Sequence, residues 1–279
     1  MSRADATLWL APHGGLPPAM AGELAFARYK AGMTDWSAKI FAYCERALDP
    51  SFWAEPLNAA TNAAFLVAAA AAFALWRAAP AGERRWLDLV LIAIVLGVGV
   101  GSFLFHTFAT RWAAIADVAP ITLFMVAYLI YAVRRFLAWN WLATLLSLAL
   151  FIAGLYGAGS LRCAGGACLN GSLGYAPALA ALLLIGALLW GAGHPAGAMI
   201  FASGLVFAVS LAFRTLDRDI CAITDLFGTG PVGTHFIWHF LNAVLLYLLL
   251  RAAIRHGGFS ASVRHGTAPP AGRSARCMI

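Results

Sequence analysis

The chain has 279 residues, of which 62% are hydrophobic and only 11% charged, with a mean hydropathy of +0.79. A soluble domain carries about 25% charged residues, so the composition excludes a water-soluble globular protein and specifies a polytopic membrane protein. The net charge of +7 comes without a basic stripe interleaved with aromatics, which excludes a nucleic-acid partner; in this class it complements anionic headgroups and biases orientation.

The first thirty residues lack the apolar run of a signal peptide. Residues 1–55 are therefore expected to stay attached and to pack as an extramembrane segment on the outer face. A span needs roughly 20 apolar residues, and seven stretches meet that length: 56–78, 86–108, 113–133, 137–157, 175–192, 197–214 and 233–252. The fold class is all-α, a seven-transmembrane helix bundle over residues 56–255. Residues 256–279 form a basic tail with no periodic pattern, expected to be disordered. With the N-terminus outside, the inner connections hold Arg77, Arg84, Arg85, Arg134 and Arg135, and the outer ones Arg111, Arg162, Arg214 and Arg218. That bias favours N-out and C-in. Arginine dominates the basic residues, with lysine only at Lys30 and Lys39, and alanine is abundant. The expected location is a bacterial inner membrane.

Cysteine placement agrees with that orientation. Cys44, Cys163, Cys168 and Cys221 fall on the N-terminal side of the membrane and Cys277 on the other, as expected where disulfides persist only in an oxidising compartment. Cys163 and Cys168 bracket "AGGA", flexible enough to close a small loop, which leaves Cys44–Cys221. The alternative is five free thiols.

Polar residues gather at one membrane level. His106 lies near the end of the second span, Asp117 near the start of the third, and "THFIWH" opens the seventh. Alternating span directions put all three on the N-terminal side. Positions i and i+4 share a helix face, so His235 and His239 point together, and so do Ser102 and His106. Three histidines with a fourth position open is the pattern of catalytic zinc, which lowers the pKa of a bound water to about 7. Each residue also has a plainer role: an interhelical hydrogen bond for a lone histidine, a cap for Asp117, a bond to a helix carbonyl for Ser102. Three histidines at one depth beside a carboxylate favour the metal. Asn58 and Asn62, four apart on the first span, are expected to bond to neighbouring helices.

The stretches "GSFLFHTF", "DVAP" and "HFIWHF" resemble the signature of the alkaline ceramidase family, within the superfamily of seven-span zinc hydrolases that includes adiponectin receptors. "YCERALDPSFWAEPLNAATN" is similar to the family's N-terminal segment, and the likeness runs from about residue 35 to 252. The resemblance implies a zinc-dependent amidase that splits ceramide, a membrane lipid substrate, into a sphingosine-type base and a fatty acid. His106, His235 and His239 would be the zinc ligands, Asp117 the general base and then acid, and Ser102 a hydrogen-bond donor near the metal. The resemblance further implies a calcium site with Glu45 and Glu55 as ligands, although Ala42 and Ala47 stand where eukaryotic members carry Asp and Asn. Asp35 and Asp49 are the nearby carboxylates that remain. Cys44 and Cys221 match the family's disulfide positions.

Other readings are an amidase for another N-acyl lipid, a lipid receptor with structural zinc, and a Ser102–His106–Asp117 nucleophilic triad. The triad leaves His235 and His239 unemployed. A retinal protein is excluded, because it requires a lysine in the last span for its Schiff base. The sequence does not fix the oligomeric state.

Overall fold

A computed structural model of the chain describes residues 35–163, 166–225, 228 and 230–258. The expectations for residues 1–34, the basic tail from 259 and Cys277 fall outside them. The chain divides into a small unit, Met1–Ala38, and a compact unit, Lys39–Ile279. In the first, Asp35 closes a turn by accepting from the Ser37 backbone N–H and hydroxyl. The second holds residues 39–55 together with the helices.

Seven helices in this unit are long and apolar enough to cross a membrane, at the seven places the composition indicates. Helix α1 runs over Pro56–Ala78 and is broken at Asn62 into Pro56–Thr61 and Ala63–Ala78. Proline suits its first position because the missing N–H would be unpaired there. No side chain of its own caps this end; the Glu45 carboxylate accepts from the backbone N–H groups of Leu57 at 2.7 Å and Asn58 at 2.8 Å. Helix α2, Trp86–Phe108, ends at Ala109 in the left-handed conformation, φ 48°.

Helix α3, Arg111–Tyr131, continues through a π-helical turn, Ala132–Phe136. Its approach to α2 depends on Gly101, where a Cβ would collide with the backbone of Ala116. Pro120 lies inside α3 and withholds the N–H that would bond the Ala116 carbonyl, so that carbonyl is free to face Gly101. The contact sets Ser102 beside Asp117.

Helix α4, Trp141–Ser160, starts four residues later than the sequence indicates. The "RR" pair expected as a loop lies within the π-helical turn, and Asn140 then caps α4 by accepting from Ala143 N–H at 2.9 Å. Only Thr144 and Phe151 are buried on α4, so it is peripheral. A two-stranded hairpin follows, β1 Arg162–Cys163 and β2 Gly166–Ala167, closed by the Cys163–Cys168 disulfide. Irregular turns over Cys168–Tyr175 lead into α5, Ala176–Gly191, and then α6, Gly197–Leu216.

Helix α7, His235–His256, is the centre of the bundle, with buried residues from His235 to Ile254. A polar cluster fixes its C-terminal end. Arg85 pairs with Asp88 at 3.0 Å and donates to the carbonyls of Ala253 and Ile254, while the Tyr131 hydroxyl donates to Asp88. These bonds tie α2 and α3 to the last turn of α7, where helical donors run out and the Ala253 carbonyl also accepts from the capping Gly257 N–H at 2.8 Å.

Candidate metal centre

His106, in the last turn of α2, meets His235 and His239, in the first turns of α7. Ring centroids lie 5.1 Å apart for His106–His235, 4.7 Å for His106–His239 and 4.6 Å for His235–His239. Each residue offers one ligand nitrogen, and these atoms lie within 4.8 Å of one another. All three side chains are buried, and Nε2 of His106, Nε2 of His239 and Nδ1 of His235 lack a hydrogen-bond partner. A buried polar group left unpaired costs about 1–3 kcal/mol, so three facing one another need a common partner. The group can hold one metal ion, and three imidazoles with no thiolate suit zinc among the common metals.

The opposite nitrogens are engaged. His106 Nδ1 lies 2.5 Å from Glu55 Oε2, and His239 Nδ1 lies 3.0 Å from Thr61 Oγ1. The Thr61 hydroxyl has the carbonyls of Leu57 and Asn58 to donate to, so it accepts from His239. Both contacts place the proton on Nδ1 and turn Nε2 towards the centre, the outer support a metal-binding histidine needs. His235 is set differently. The ring of Tyr43 stacks on it at 3.6 Å, and its backbone N–H donates to Asp217 Oδ1 at 2.9 Å. Asp217 also accepts from the N–H groups of Thr234 and Cys44. A carboxylate thus stands at the positive end of α7 and ties it to the N-terminal segment. Burial pushes the Tyr43 phenol up, against the pull of the Arg214 guanidinium.

Ser102 and Asp117 sit beside the histidines, on the wall of a cavity that His235 and His239 also line. Asp117 Oδ1 is buried with no partner. Asp117 lies well inside α3, and the preceding Thr110 holds the cap position, so it is not a capping residue. His106 directs Nδ1 to Glu55 and not to Asp117, an order that does not make a nucleophilic triad.

Glu45 and Glu55 do not converge on an open site. Glu45 holds the N-terminus of α1, and burial pushes its carboxyl up against the two backbone N–H groups. Glu55 is taken by Arg46 at Oε1 and by His106 and Asn58 at Oε2. Burial alone would raise the Glu55 carboxyl; the hydrogen bonds and charges of His106 and Arg46 outweigh it and hold the group below the usual carboxylate range. Arg46, only 1% exposed, also donates to the carbonyls of Asp49, Ser51, His106 and Thr107. This oxygen cage is filled by a guanidinium, which leaves calcium without these two ligands. Asp49 is exposed, and the Ser51 backbone N–H holds its carboxyl low.

Asn58 and Asn62 differ from expectation. Their amides donate to Glu55 Oε2 and the Asn58 carbonyl, bonds that stay within their own stretch of chain. The expected disulfides form, Cys44–Cys221 with Cα atoms 5.6 Å apart and Cys163–Cys168 at 4.9 Å. Cys44–Cys221 joins the N-terminal segment to the loop before α7.

A cavity opens from the centre into the bundle. Ser102, Asp117, His235, His239, Tyr43 and Arg214 line its polar end, and Phe124, Leu129, Ala132 and Leu249 its far end. There the Tyr128 hydroxyl donates to the Leu249 carbonyl at 3.0 Å, which closes the floor. Asp117 and Ala132 are fifteen residues apart on one helix, about 22 Å at 1.5 Å per residue. That exceeds one leaflet, about half of the 30 Å hydrocarbon core.

Set against family models, curated proteins and solved structures, the chain matches none of them.

Proposed function

We propose that this protein is a membrane-embedded zinc amidase that hydrolyses the N-acyl amide of ceramide or a related N-acyl lipid, on the face of the membrane reached by its N-terminus. The observation that carries the reading is the placement of three unpartnered histidine nitrogens beside Ser102 and Asp117, at the polar end of a deep apolar cavity. The likeness of the histidine, serine and aspartate spacing to alkaline ceramidases supports the same activity. By the arginine bias the face is the outer one of a bacterial inner membrane.

Zinc held by His106, His235 and His239 supplies Lewis acidity, which polarises a carbonyl oxygen and makes water acidic near neutral pH. The chain does the rest. The cavity holds an acyl chain away from water and presents its amide carbonyl to the centre. Asp117 takes the proton of the attacking water through its unpartnered oxygen and returns it to the amide nitrogen as the C–N bond breaks. Ser102, beside Asp117 on the cavity wall, offers its hydroxyl to the developing oxyanion. Glu55 and Thr61 keep two of the imidazoles in the ligating tautomer.

A lipid receptor with structural zinc is the second reading. It is disfavoured by the ligand set, because structural sites are closed by four protein ligands, whereas three histidines converge here. Fatty-acid release from a ceramide panel, before and after chelation and with zinc restored, separates the two. Release lost with the chelator and regained with zinc is the amidase result; bound zinc without release from any N-acyl lipid is the receptor result.

A further inference from the structure

Arg214 lies in the last turn of α6 and lines the polar end of the cavity. Its charge is permanent, yet the ion pairs among the described residues are Arg46–Glu55, Arg85–Asp88 and His106–Glu55, none of which includes it. Its partners are neutral. Nη1 donates to the Asn170 carbonyl and the Ser172 hydroxyl, each at 2.9 Å. The guanidinium also lies over the rings of Tyr175 at 5.3 Å and Trp238 at 5.7 Å. Carbonyl, hydroxyl and aromatic faces orient a guanidinium but do not neutralise it, and this half-buried charge faces the cavity without a counterion. Asp117, the carboxylate on the same cavity wall, makes no ion pair with it.

The place of this charge specifies its counterion. Trp238 spans the gap to the metal centre: the guanidinium lies over its ring, and that ring is 6.3 Å from the ring of His235; Tyr43, stacked on His235, lines the same end of the cavity. One aromatic side chain therefore separates the guanidinium from the metal centre. An anion bound there belongs to the part of a substrate just beyond the scissile bond, on the side away from the acyl chain. Ceramide has only hydroxyl groups in that region.

Building on the amidase reading above, we infer that the preferred substrate is an N-acyl amino acid lipid, whose carboxylate, carried on the carbon next to the amide nitrogen, is bound by Arg214. The acyl chain fills the cavity and the amide carbonyl meets the centre. Arg214 takes the carboxylate in the two-pronged geometry that a guanidinium offers and an ammonium does not. Hydrolysis balances without a further reactant: water adds to the carbonyl carbon, the C–N bond breaks, the nitrogen takes a proton from Asp117, and a fatty acid and a free amino acid leave. Arg214 is a binding residue in this scheme.

The test compares palmitate release from N-palmitoylglycine, N-palmitoylethanolamine and a C16 ceramide by zinc-loaded protein. The first two share an acyl chain and an amide and differ by a carboxylate against a hydroxymethyl group. The wild type is expected to favour the glycine conjugate about tenfold or more in kcat/KM, the scale of a charge-assisted hydrogen bond, with the difference in KM. Arg214→Gln abolishes the preference and Arg214→Lys keeps part of it, while zinc content and melting temperature confirm folding. Binding of the two palmitoyl amides to Asp117→Asn protein gives a second readout, with the carboxylate form expected to bind tighter only when Arg214 is present. Equal kcat/KM for the two amides, or a preference that survives Arg214→Gln, overturns the inference and leaves the amidase standing. Carboxylate-selective binding without release from any of the three lipids overturns the amidase reading and, with it, this substrate.

Discussion

Glu55 Oε2 meets His106 Nδ1 at 2.5 Å, while Glu55 Oε1 is held by Arg46 at the same distance. One carboxylate thus joins a metal-facing imidazole to a buried guanidinium. Glu55→Gln keeps the shape but removes the charge that orients and strengthens His106 as a ligand. Outer partners of this kind are worth 10–100-fold in metal affinity. Zinc affinity of the Gln variant, measured by competition with a chromophoric chelator, should fall by about that factor. Unchanged affinity would assign Glu55 to Arg46 alone.

Arg46 carries a separate prediction. Arg46→Met leaves the Glu55 carboxylate and four backbone carbonyls without their donor, and removing one partner of a buried ion pair costs about 3–5 kcal/mol. The melting temperature in detergent should drop clearly. The double variant Arg46→Met, Glu55→Gln removes the stranded charge and should recover part of the loss, which a merely bulky role for Arg46 would not allow.

Asp117→Asn preserves size but cannot accept a proton from water. Hydrolysis should fall by about 10²–10⁴-fold, the usual contribution of a general base, with bound zinc unchanged. Loss of zinc in this variant would place Asp117 in the metal's support instead. Ser102→Ala should reduce turnover less than Asp117→Asn, measured under the same conditions.

The floor of the cavity predicts chain-length preference. Ala132 is 1% exposed and lines the far end, so Ala132→Leu fills space otherwise open to the acyl terminus. Each methylene no longer buried forfeits about 0.8 kcal/mol, roughly fourfold in binding. A panel of acyl lengths should show the optimum moving to shorter chains, with the rate on short chains preserved. An unmoved optimum would put the acyl chain elsewhere.

The spans and the histidine centre were legible because each depends on local spacing. Apolar runs of membrane length declare helices, and His235 with His239 declares one face of α7. Arg46, Thr61, Asp217 and Arg214 were not legible as site residues. Arg46 follows Glu45 and reads as half of a solvated pair; only the fold turns it inward to Glu55. Arg214 reads as a charge of an outer loop and entered the orientation count, whereas the structure sets it on the cavity wall; Asp217, its near neighbour in sequence, stands at the start of α7. Tyr43 carries no spacing signal, since its stacking on His235 comes from the path of an irregular segment. The late start of α4 was hidden because a π-helical turn absorbed two arginines that composition assigns to a loop.

Cys44 and Cys221 stand 177 positions apart, and the centre draws on α2 and α7, so the molecule has a timetable. During synthesis His106 is in place long before His235 and His239 exist, and the thiol of Cys44 waits as long for its mate. The disulfide can close only after Cys221, and the three imidazoles can meet only once α7 has been added. Both the covalent clasp and the metal centre therefore depend on the last helix to be made.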